Sequence, residues 1–419
     1  GIIAESEANA TRLFGTAHSY YSTEGTSQCI RAMLFLALQS APQNGKRPVL
    51  LAARNAHKAL LYAAALLDFD IRWLWPSAQA EGALCSCPVT AEALTGALHA
   101  LAQQGISPFG VYVTSPDYLG GVQDIPAMAA VCRAQGVPLL VDNAHGAYLH
   151  FLPQNCHPIA QGAAMCCDSA HKTLPVVTGG AYLHLAHDAP VQDEAAVRGA
   201  LALFGSTSPS YLILQSLDAC NAVLAGDYPR RLAQCCAALE GLRRSLNKAA
   251  AARQCPVPLA VAGAQQEPMK LTLDAAALGC TGTALAETLR RAQMECEYAD
   301  PRYVVLMFTP ENPPQDFERL QTALEQLLAA VPAGLSRPEN RAGEFAALQQ
   351  QAVQRCTIRQ AVLGAQVRVP VHKALGSVCA MPTVSCPPAI PVAVSGEEIT
   401  PAAIALMQRY GIEELSVLR

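Results

Sequence analysis

Short, mostly apolar runs alternate with longer segments of helical length along the first half of the chain. Runs of five or six such residues are typical of strands that are buried on both faces of a parallel sheet. The predicted strands cover 48–53, 71–75, 109–114, 137–141, 163–167 and 181–185. The predicted helices cover 5–14, 28–39, 59–67, 90–104 and 124–135. This alternation predicts an α/β fold with a mostly parallel sheet flanked by helices.

The pattern changes after residue 185. Long helical segments are predicted over 195–203 and 211–248, and a shorter alternation of strands and helices follows over 269–330. The stretch 332–340, with proline, glycine and polar residues, is typical of a linker. We therefore expect three parts, namely a large α/β domain with its following helices over 1–250, a small α/β domain over 251–335 and a carboxyl-terminal domain over 341–419.

Composition narrows the class of protein. The chain has 29 basic and 33 acidic side chains, and this near balance argues against a nucleic-acid partner, which needs a basic surface. No apolar run reaches the ~18 residues of a membrane span, so we expect no membrane partner. The 16 cysteines are scattered, and their closest pairs lack the CxxC spacing of zinc sites. We interpret them as reduced, mostly buried residues of a cytoplasmic protein and expect no metal site.

Asp142 directly follows the predicted strand over 137–141. In open α/β sheets, ligands bind at the carboxyl ends of the parallel strands, so an acid at this point is a candidate for chemistry. An aspartate that only begins a turn is the alternative, and this stretch alone does not separate the two.

Lys172 lies between the apolar runs 163–167 and 181–185, and a Gly-Gly pair follows it at 179–180. A lysine is costly to bury as a cation, whereas a Schiff base with a carbonyl cofactor removes that cost and creates an activated electrophile. The chain has only six lysines, so a lysine in this place is less expected by chance. They are Lys46, Lys58, Lys172, Lys248, Lys270 and Lys373.

Two motifs carry a resemblance to a known family. Asp142-Asn143-Ala144-His145-Gly146, followed by Ser169-Ala170-His171-Lys172, resembles the core of the pyridoxal-phosphate enzymes of fold type I, and most closely the Orn/Lys/Arg decarboxylase family. Arg54-Asn55-Ala56-His57-Lys58, the loop 114–118 and the closing segment 385–399 extend the resemblance over nearly the whole chain. It implies an aspartate aminotransferase-like fold and pyridoxal 5'-phosphate as the cofactor.

The resemblance implies a role for each polar residue of these motifs. Lys172 would bind the cofactor covalently, Asp142 would pair with its pyridine nitrogen, and His57 would stack on its ring. His145 would donate a proton or pack on the cofactor face, and a purely structural histidine is the alternative. The phosphate would be held by Gly25, Thr26, Ser27, Ser169 and His171.

The turn 25–27 also has an independent physical basis. The start of a helix presents free N–H groups and partial positive charge to an anion, but Ser and Thr begin helices in many proteins, so the turn alone is a weak signal. A helix-start histidine is likewise the alternative for His57. Glu24 stands where the family pattern has Asn, and Ala389 replaces a Gly of the closing segment.

Ser206 and Thr207 lie in a turn that, by the same resemblance, reaches the phosphate of a neighbouring subunit. This implies a homodimer with shared active sites, which further association would extend to a higher oligomer. A capped helix start is the alternative. The opening residues 1–7 resemble an internal family segment, so we expect a further amino-terminal segment before them.

These expectations combine into decarboxylation of a basic amino acid, arginine, lysine or ornithine, to a polyamine-type amine and CO2. Another fold type I reaction, such as that of an aminotransferase or a lyase, is an alternative because the cofactor motifs are shared. A cofactor-binding homologue without catalysis is a second alternative. The residues that would read the end of the substrate side chain are not identifiable from the sequence, so the choice among the three substrates stays open.

Overall fold

Seven strands form the large sheet of the protein. The computed structural model describes residues 1–42, 45–76, 83–332, 334–339, 341–382 and 390–419. The strands are β1 (His18–Ser22), β2 (Val49–Ala53), β3 (Asp70–Leu74), β4 (Val111–Thr114), β5 (Leu139–Asp142), β6 (Met165–Asp168) and β7 (Ala181–Leu185). Their order is β1-β7-β6-β5-β4-β2-β3, parallel from β6 to β3, with β7 antiparallel to both of its neighbours. The predicted α/β fold with a mostly parallel sheet is therefore confirmed.

The sequence pattern predicts six of these strands but not β1. This strand reads His-Ser-Tyr-Tyr-Ser, so no apolar run marks it. It nevertheless pairs with β7 over its full length, from His18 opposite Leu185 to Ser22 opposite Ala181. Tertiary partners bind several of its buried polar groups; the backbone N–H of Tyr21, for example, donates to Oε1 of Glu7 at 3.0 Å.

Helices lie against the sheet and continue beyond it. Up to residue 252 they are α1 (Ile2–Phe14), α2 (Gly25–Ser40), α3 (Lys58–Leu67), α4 (Ala91–Gln103), α5 (Ile125–Ala134), α6 (Ala170–Thr173), α7 (Glu194–Leu203), α8 (Tyr211–Ala225) and α9 (Tyr228–Ala252). The stretch 211–248, expected to be helical, forms two helices, because α8 ends before Gly226 and Pro229 lies in the first turn of α9. No helix in the described ranges combines the length and the apolar character that a membrane span needs.

The inner strands of the large sheet, β2 and β4 to β7, are buried on both faces, whereas the edge strand β3 is partly exposed. On one face α2 packs against β6, β7 and α3, and Leu34, Leu50 and Leu60 are fully buried in the core on this side. On the other face α4 and α5 contribute Leu94 and Met128, which are also fully buried. Burying one such side chain contributes about 1.5–3 kcal/mol to the free energy of unfolding. Burial on two faces therefore explains why the strands have no regular alternation of apolar and polar residues.

The rest of the chain contains two smaller antiparallel sheets. Their strands are β8 (Lys270–Asp274), β9 (Tyr298–Ala299), β10 (Tyr303–Met307), β11 (Gln366–Pro370) and β12 (Glu414–Leu418), in the orders β8-β10-β9 and β11-β12. Their helices are α10 (Gly282–Arg291), α11 (Pro314–Ala329), α12 (Ala342–Gln351), α13 (Ile358–Leu363) and α14 (Pro401–Arg409). Val305 of β10 and Val417 of β12 belong to the same apolar core as Val111 of β4. The division into domains over 1–250, 251–335 and 341–419 stays a prediction.

A buried ion pair joins the end of β2 to the carboxyl-terminal part. Arg54 is fully buried and donates from its two terminal nitrogens to the two carboxylate oxygens of Glu397, each at 2.8 Å. The centre of a Trp75 ring lies 4.2 Å from the guanidinium carbon. The pair therefore anchors the loop that leads from β2 to His57. Ala389, in the same closing segment as Glu397, lies outside the described residues.

We expect Glu397→Gln to lower the free energy of unfolding by about 3–5 kcal/mol, because the amide leaves the Arg54 guanidinium buried without a counter-charge. Urea denaturation followed by circular dichroism measures the change. Glu398→Gln is the matched control, since the side chain of its partner Arg355 is 55% exposed and an exposed pair contributes only about 0–1 kcal/mol. Equal losses in the two variants would show that the buried pair has no special role.

Candidate active site

The carboxyl ends of the parallel strands meet at one edge of the large sheet. β2 leads to His57, β4 to Tyr118, β5 ends at Asp142 and β6 leads to Ser169. β1 points the same way and leads to Gly25. Because parallel neighbours place their carboxyl ends side by side, residues that are far apart in sequence come together at this edge.

Asp142 is the last residue of β5 and is almost fully buried. The hydroxyl of Tyr112 donates to its Oδ2 at 3.0 Å, and the backbone N–H of Ala144 donates to its Oδ1 at 3.2 Å. Burial, followed by the charge of Asp142, raises the pKa of Tyr112 well above its ordinary value, so the phenol stays protonated and remains a donor. The result is a carboxylate in a fixed orientation, as a partner for a pyridine nitrogen requires.

Lys172 lies in the short helix α6, and its Nζ is 3.1 Å from Nε2 of His145. His145 is 2% exposed, and its ring packs edge-on against Tyr118 with 4.9 Å between ring centres. Burial, and then the charges of Lys270 and Lys172, lower the pKa of His145 well below its ordinary value. The imidazole is therefore neutral near pH 7 and can accept a hydrogen bond from Lys172.

His57 lies directly before α3, and its Nδ1 accepts a hydrogen bond from the backbone N–H of Ala59 at 3.1 Å. His57 therefore does cap the start of α3, as the alternative of a helix-start histidine predicts. Burial lowers the pKa of His57, the charge of Asp142 raises it, and the charge of Lys172 lowers it further. The bond from Ala59 fixes the orientation of the ring at the start of α3.

Gly25, Thr26 and Ser27 open the 16-residue helix α2. Gly25 has a φ angle of 68°, which a glycine adopts without strain, and its N–H donates to the carbonyl oxygen of Gly179 at 2.8 Å. Oγ1 of Thr26 lies 3.1 Å from Oγ of Ser169. Two hydroxyl groups from distant parts of the chain thus meet at a helix N-terminus, an arrangement that suits a phosphate group.

The Gly-Gly pair at 179–180 packs against the residues on both sides of Lys172. Nδ1 of His171 lies 3.0 Å from the carbonyl oxygen of Gly180. Gly179 has a φ angle of 102°, and a Cβ atom there would lie 3.0 Å from the carbonyl oxygen of Thr23. A larger residue at Gly179 would push apart the turns that carry Thr26 and Ser169.

Ser206 and Thr207 are exposed, whereas none of the other predicted cofactor residues is. The backbone N–H of Ser206 donates to Oε1 of Glu24, so the carboxylate that departs from the family pattern is bound to this turn. Within one chain the structure therefore places the turn beside the start of α2, and it shows no contact of Ser206 or Thr207 with the residues around Lys172 in the described part of the chain.

Two buried polar residues of this edge are not among the sequence expectations. Tyr112 lies within an apolar strand. Because a buried tyrosine hydroxyl normally needs a hydrogen-bond partner, its position in the sequence already indicated a polar neighbour. Lys270, the first residue of β8, is 4% exposed, and its Nζ donates to the carbonyl oxygen of Asp117 at 2.8 Å. Its Nζ also lies 5.2 Å from the ring of Tyr118, and burial lowers its pKa. The scarcity of lysine marks Lys270 in the sequence, but its proximity to His145 follows only from the fold.

The groups at this edge fit pyridoxal phosphate. They comprise hydroxyls at a helix N-terminus for the phosphate, a fixed carboxylate for the ring nitrogen and an amine for the aldehyde. Among the described residues, Nδ1 of His145 and both side-chain polar atoms of Asn55 are buried without a hydrogen-bond partner. Buried polar atoms are usually satisfied, and a polar ligand at this edge would be a source of such partners.

Known proteins resemble this chain over most of its length. Residues 1–266 match the sequence profile described as Orn/Lys/Arg decarboxylase, major domain. The arginine decarboxylase of Bacillus subtilis (strain 168) is 27% identical over 408 residues, which cover 96% of this chain and 79% of that protein. The constitutive lysine decarboxylase of Escherichia coli (strain K12) is 27% identical over 243 residues, which cover 54% of this chain and 32% of that protein.

The structure of the E. coli constitutive lysine decarboxylase is also similar to this one. The TM-score is 0.74 at 19% sequence identity, and the superposition covers 99% of this chain and 72% of that chain. The likeness supports the fold, and the profile match covers more than half of the chain. The chain therefore belongs to the Orn/Lys/Arg decarboxylase family and is a pyridoxal-phosphate-dependent decarboxylase of fold type I.

Proposed function

We propose that the protein removes CO2 from a basic amino acid, arginine, lysine or ornithine, and releases the corresponding polyamine-type amine. The observation that supports this most is the 3.1 Å contact between Nζ of Lys172 and Nε2 of His145. His145 follows the buried Asp142 by three residues. The relatives named arginine decarboxylase and lysine decarboxylase support a basic substrate. Because these relatives differ in their substrate, the choice among the three amino acids is a question for experiment.

The cofactor would be held by the residues of the sheet edge. Lys172 would bind its aldehyde carbon, Asp142 would pair with its ring nitrogen, and His57 would pack on its ring. The phosphate would be bound by Gly25, Thr26, Ser27, Ser169 and His171. When bound, pyridoxal phosphate supplies a ring that accepts the electrons released as a bond at the substrate α-carbon breaks.

Asp142 would control the charge of that ring. An adjacent carboxylate favours the protonated form of a pyridine nitrogen, and only the protonated ring accepts electrons readily. The hydrogen bonds from Tyr112 and from the backbone of Ala144 hold the carboxylate in one orientation. Tyr112 is thus a positioning residue, which acts on the reaction through Asp142.

Lys172 and His145 would handle the proton that replaces CO2. Nζ of Lys172 is the proposed donor to the α-carbon, and Nε2 of His145 accepts its hydrogen bond and keeps it in place. Because the pKa of His145 is far below its ordinary value, the ring adds no positive charge that would repel the Lys172 ammonium group.

We further propose a homodimer with shared active sites, which further association would extend to a higher oligomer. Ser206 and Thr207 are exposed, as residues that reach a partner subunit must be. Three large apolar side chains near them in sequence are also exposed, Leu203 by 59%, Tyr211 by 76% and Leu212 by 73%. Exposed apolar surface of this kind often marks an interface between proteins.

A role in polyamine metabolism in the cytoplasm completes the proposal. The 15 cysteines of the described residues are all free, which supports a reducing compartment. Polyamine-type amines are the products that decarboxylation of arginine, lysine or ornithine would yield.

The reaction is tested by adding pyridoxal phosphate to the purified protein and following CO2 and amine release with arginine, lysine and ornithine separately. We expect release from one of the three. A keto acid or a sulfur product would instead assign another fold type I reaction. A retained cofactor spectrum without turnover of any amino acid would assign a binding protein without catalysis.

We expect Lys172→Ala to abolish both turnover and covalent attachment of the cofactor, because no other amine occupies its position. Mass spectrometry after borohydride reduction measures the attachment. Lys248→Ala, at an exposed position of α9, is the control and should behave like the unaltered protein. Attachment that persists in Lys172→Ala would remove Lys172 from its proposed role.

We expect Asp142→Ala to retain covalent attachment of the cofactor but to lower kcat by a factor on the order of 10²–10³, since a fixed charge that stabilises the transition state is lost. Steady-state kinetics of amine release measure the effect. Asp188→Ala, at an exposed position after β7, controls for the loss of a surface carboxylate. A kcat close to that of this control would contradict the pairing of Asp142 with the ring nitrogen.

A further inference from the structure

A second group of titratable side chains lies behind the candidate active site. His157, Asp168 and His184 are all fully buried. Nε2 of His157 lies 3.0 Å from Oδ2 of Asp168, and Nε2 of His184 lies 3.2 Å from the same oxygen. They come from the segment before β6, from the end of β6 and from β7. None of the three takes part in the proposed reaction.

The distances among these atoms suit ligands of one metal ion. Zinc bonds to nitrogen and oxygen are about 2.0–2.2 Å long, which places two ligand atoms of a tetrahedral site roughly 3.3–3.5 Å apart. The ligand atoms of the three residues all lie within 4.8 Å of one another. The two nitrogen–oxygen separations are a few tenths of an ångström shorter than the ideal, so an ion would need only small side-chain movements.

Cys166 lies beside the group, outside the set of ligand atoms that all lie within 4.8 Å of one another, and is the candidate fourth ligand. It precedes Asp168 by two residues on β6, so both side chains point to the same face, and it is paired with His184 across the antiparallel strands β6 and β7. Its Sγ lies 3.9 Å from Nε2 of His157 and 3.9 Å from Oδ1 of Asp168. A zinc–sulfur bond is about 2.3 Å long, so a movement of the Cys166 side chain toward the group would bring this thiol to an ion held by the other three residues.

Hydrogen bonds from outside the group orient two of its members. Nδ1 of His184 lies 2.7 Å from Oγ of Ser19, which in turn lies 2.7 Å from Oγ1 of Thr16. Nδ2 of Asn143 donates to Oδ1 of Asp168 at 2.7 Å. Metal-binding histidines and carboxylates typically carry such bonds on the atoms that do not face the metal. The arrangement leaves Nε2 of His184 and Oδ2 of Asp168 directed into the same space.

We propose that His157, Cys166, Asp168 and His184 bind one zinc ion in a closed structural site. Four protein ligands leave no position open for substrate or water, as is typical of structural zinc. The carboxylate and a thiolate neutralise the charge of the ion, which lowers the free-energy cost of burying it. A mixed set of nitrogen, oxygen and sulfur ligands suits zinc, whereas magnesium and calcium prefer oxygen alone.

The ion would connect the candidate active site to the strands behind it. Asn143, which is bonded to Asp168, directly follows Asp142, and Ser169 directly follows Asp168. The zinc would therefore fix the backbone that carries two of the proposed cofactor residues. The Phe14 ring, with its centre 4.6 Å from that of His184, covers one side of the group.

From the sequence alone we expect no metal site, because the cysteine pairs lack CxxC spacing. That expectation concerns ligands that are close neighbours in sequence, whereas these four are spread over 157–184. They meet because β6 and β7 pair antiparallel, and the spacing of these residues in the sequence does not predict this pairing.

The proposal is tested on the whole protein, produced without a metal-binding tag in zinc-supplemented medium, by plasma mass spectrometry of its metal content. We expect about one zinc ion per chain. Cys166→Ala and His157→Ala should each lower the zinc content at least about tenfold, since each removes a ligand. Cys132→Ala is the matched control, because Cys132 is equally buried but lies in α5, and it should retain the ion.

X-ray absorption at the zinc edge tests the unaltered chain and does not depend on the variants folding. We expect a shell of about one sulfur and three nitrogen or oxygen atoms. Zinc-free protein would overturn the proposal and leave a group in which the His157 imidazole is hydrogen-bonded to Asp168. A shell of sulfur alone or of oxygen alone, or zinc retained in both ligand variants, would place the ion elsewhere and would also overturn it.

Discussion

The parallel arrangement of β2, β4, β5 and β6 is the constraint on which the candidate site depends. It brings the carboxyl ends of strands that are widely separated in sequence to one edge, where Asp142 and Lys172 lie in the same region as His57. No short peptide could present these groups together, since each comes from a different strand–helix connection. The helices on both faces then exclude water from the strands, so the polar groups at the edge act in a mostly dry environment.

Burial of charge at this edge is possible because each charged group has a compensating neighbour. Arg54 is paired with Glu397, and Asp142 accepts hydrogen bonds from Tyr112 and from its own loop. Lys270 donates to a backbone carbonyl oxygen and lies against the Tyr118 ring. Except for that loop, each partner comes from another part of the chain, so the contacts of Arg54 and Lys270 maintain both the chemistry of the edge and the packing of the later segments on the large sheet.

Local patterns predict much of this structure, and pairings between distant segments account for the rest. The run over 181–185 coincides with β7 because two-sided burial demands apolar residues, and the motif around Lys172 identifies the family. β1 carries no apolar run, and its pairing with β7 and contacts such as that of Tyr21 with Glu7 hold it in the sheet. Gly226 and the proline that follows it at 229 indicate that α8 ends there, but the helical periodicity on either side obscured this break. The meeting of His157, Asp168 and His184 depends on strand pairing, which the sequence does not display.

The pair between Arg54 and Glu397 also has a consequence for the order of events during translation. The two residues are 343 positions apart, whereas the last strand of the large sheet ends at Leu185. A ribosome-bound chain therefore exposes all seven strands of that sheet well before the anchor of the loop to His57 has been synthesised. Cofactor capture in its final geometry is thereby deferred until Glu397 has been synthesised, and a chain that stops before this residue carries the sheet without a finished edge.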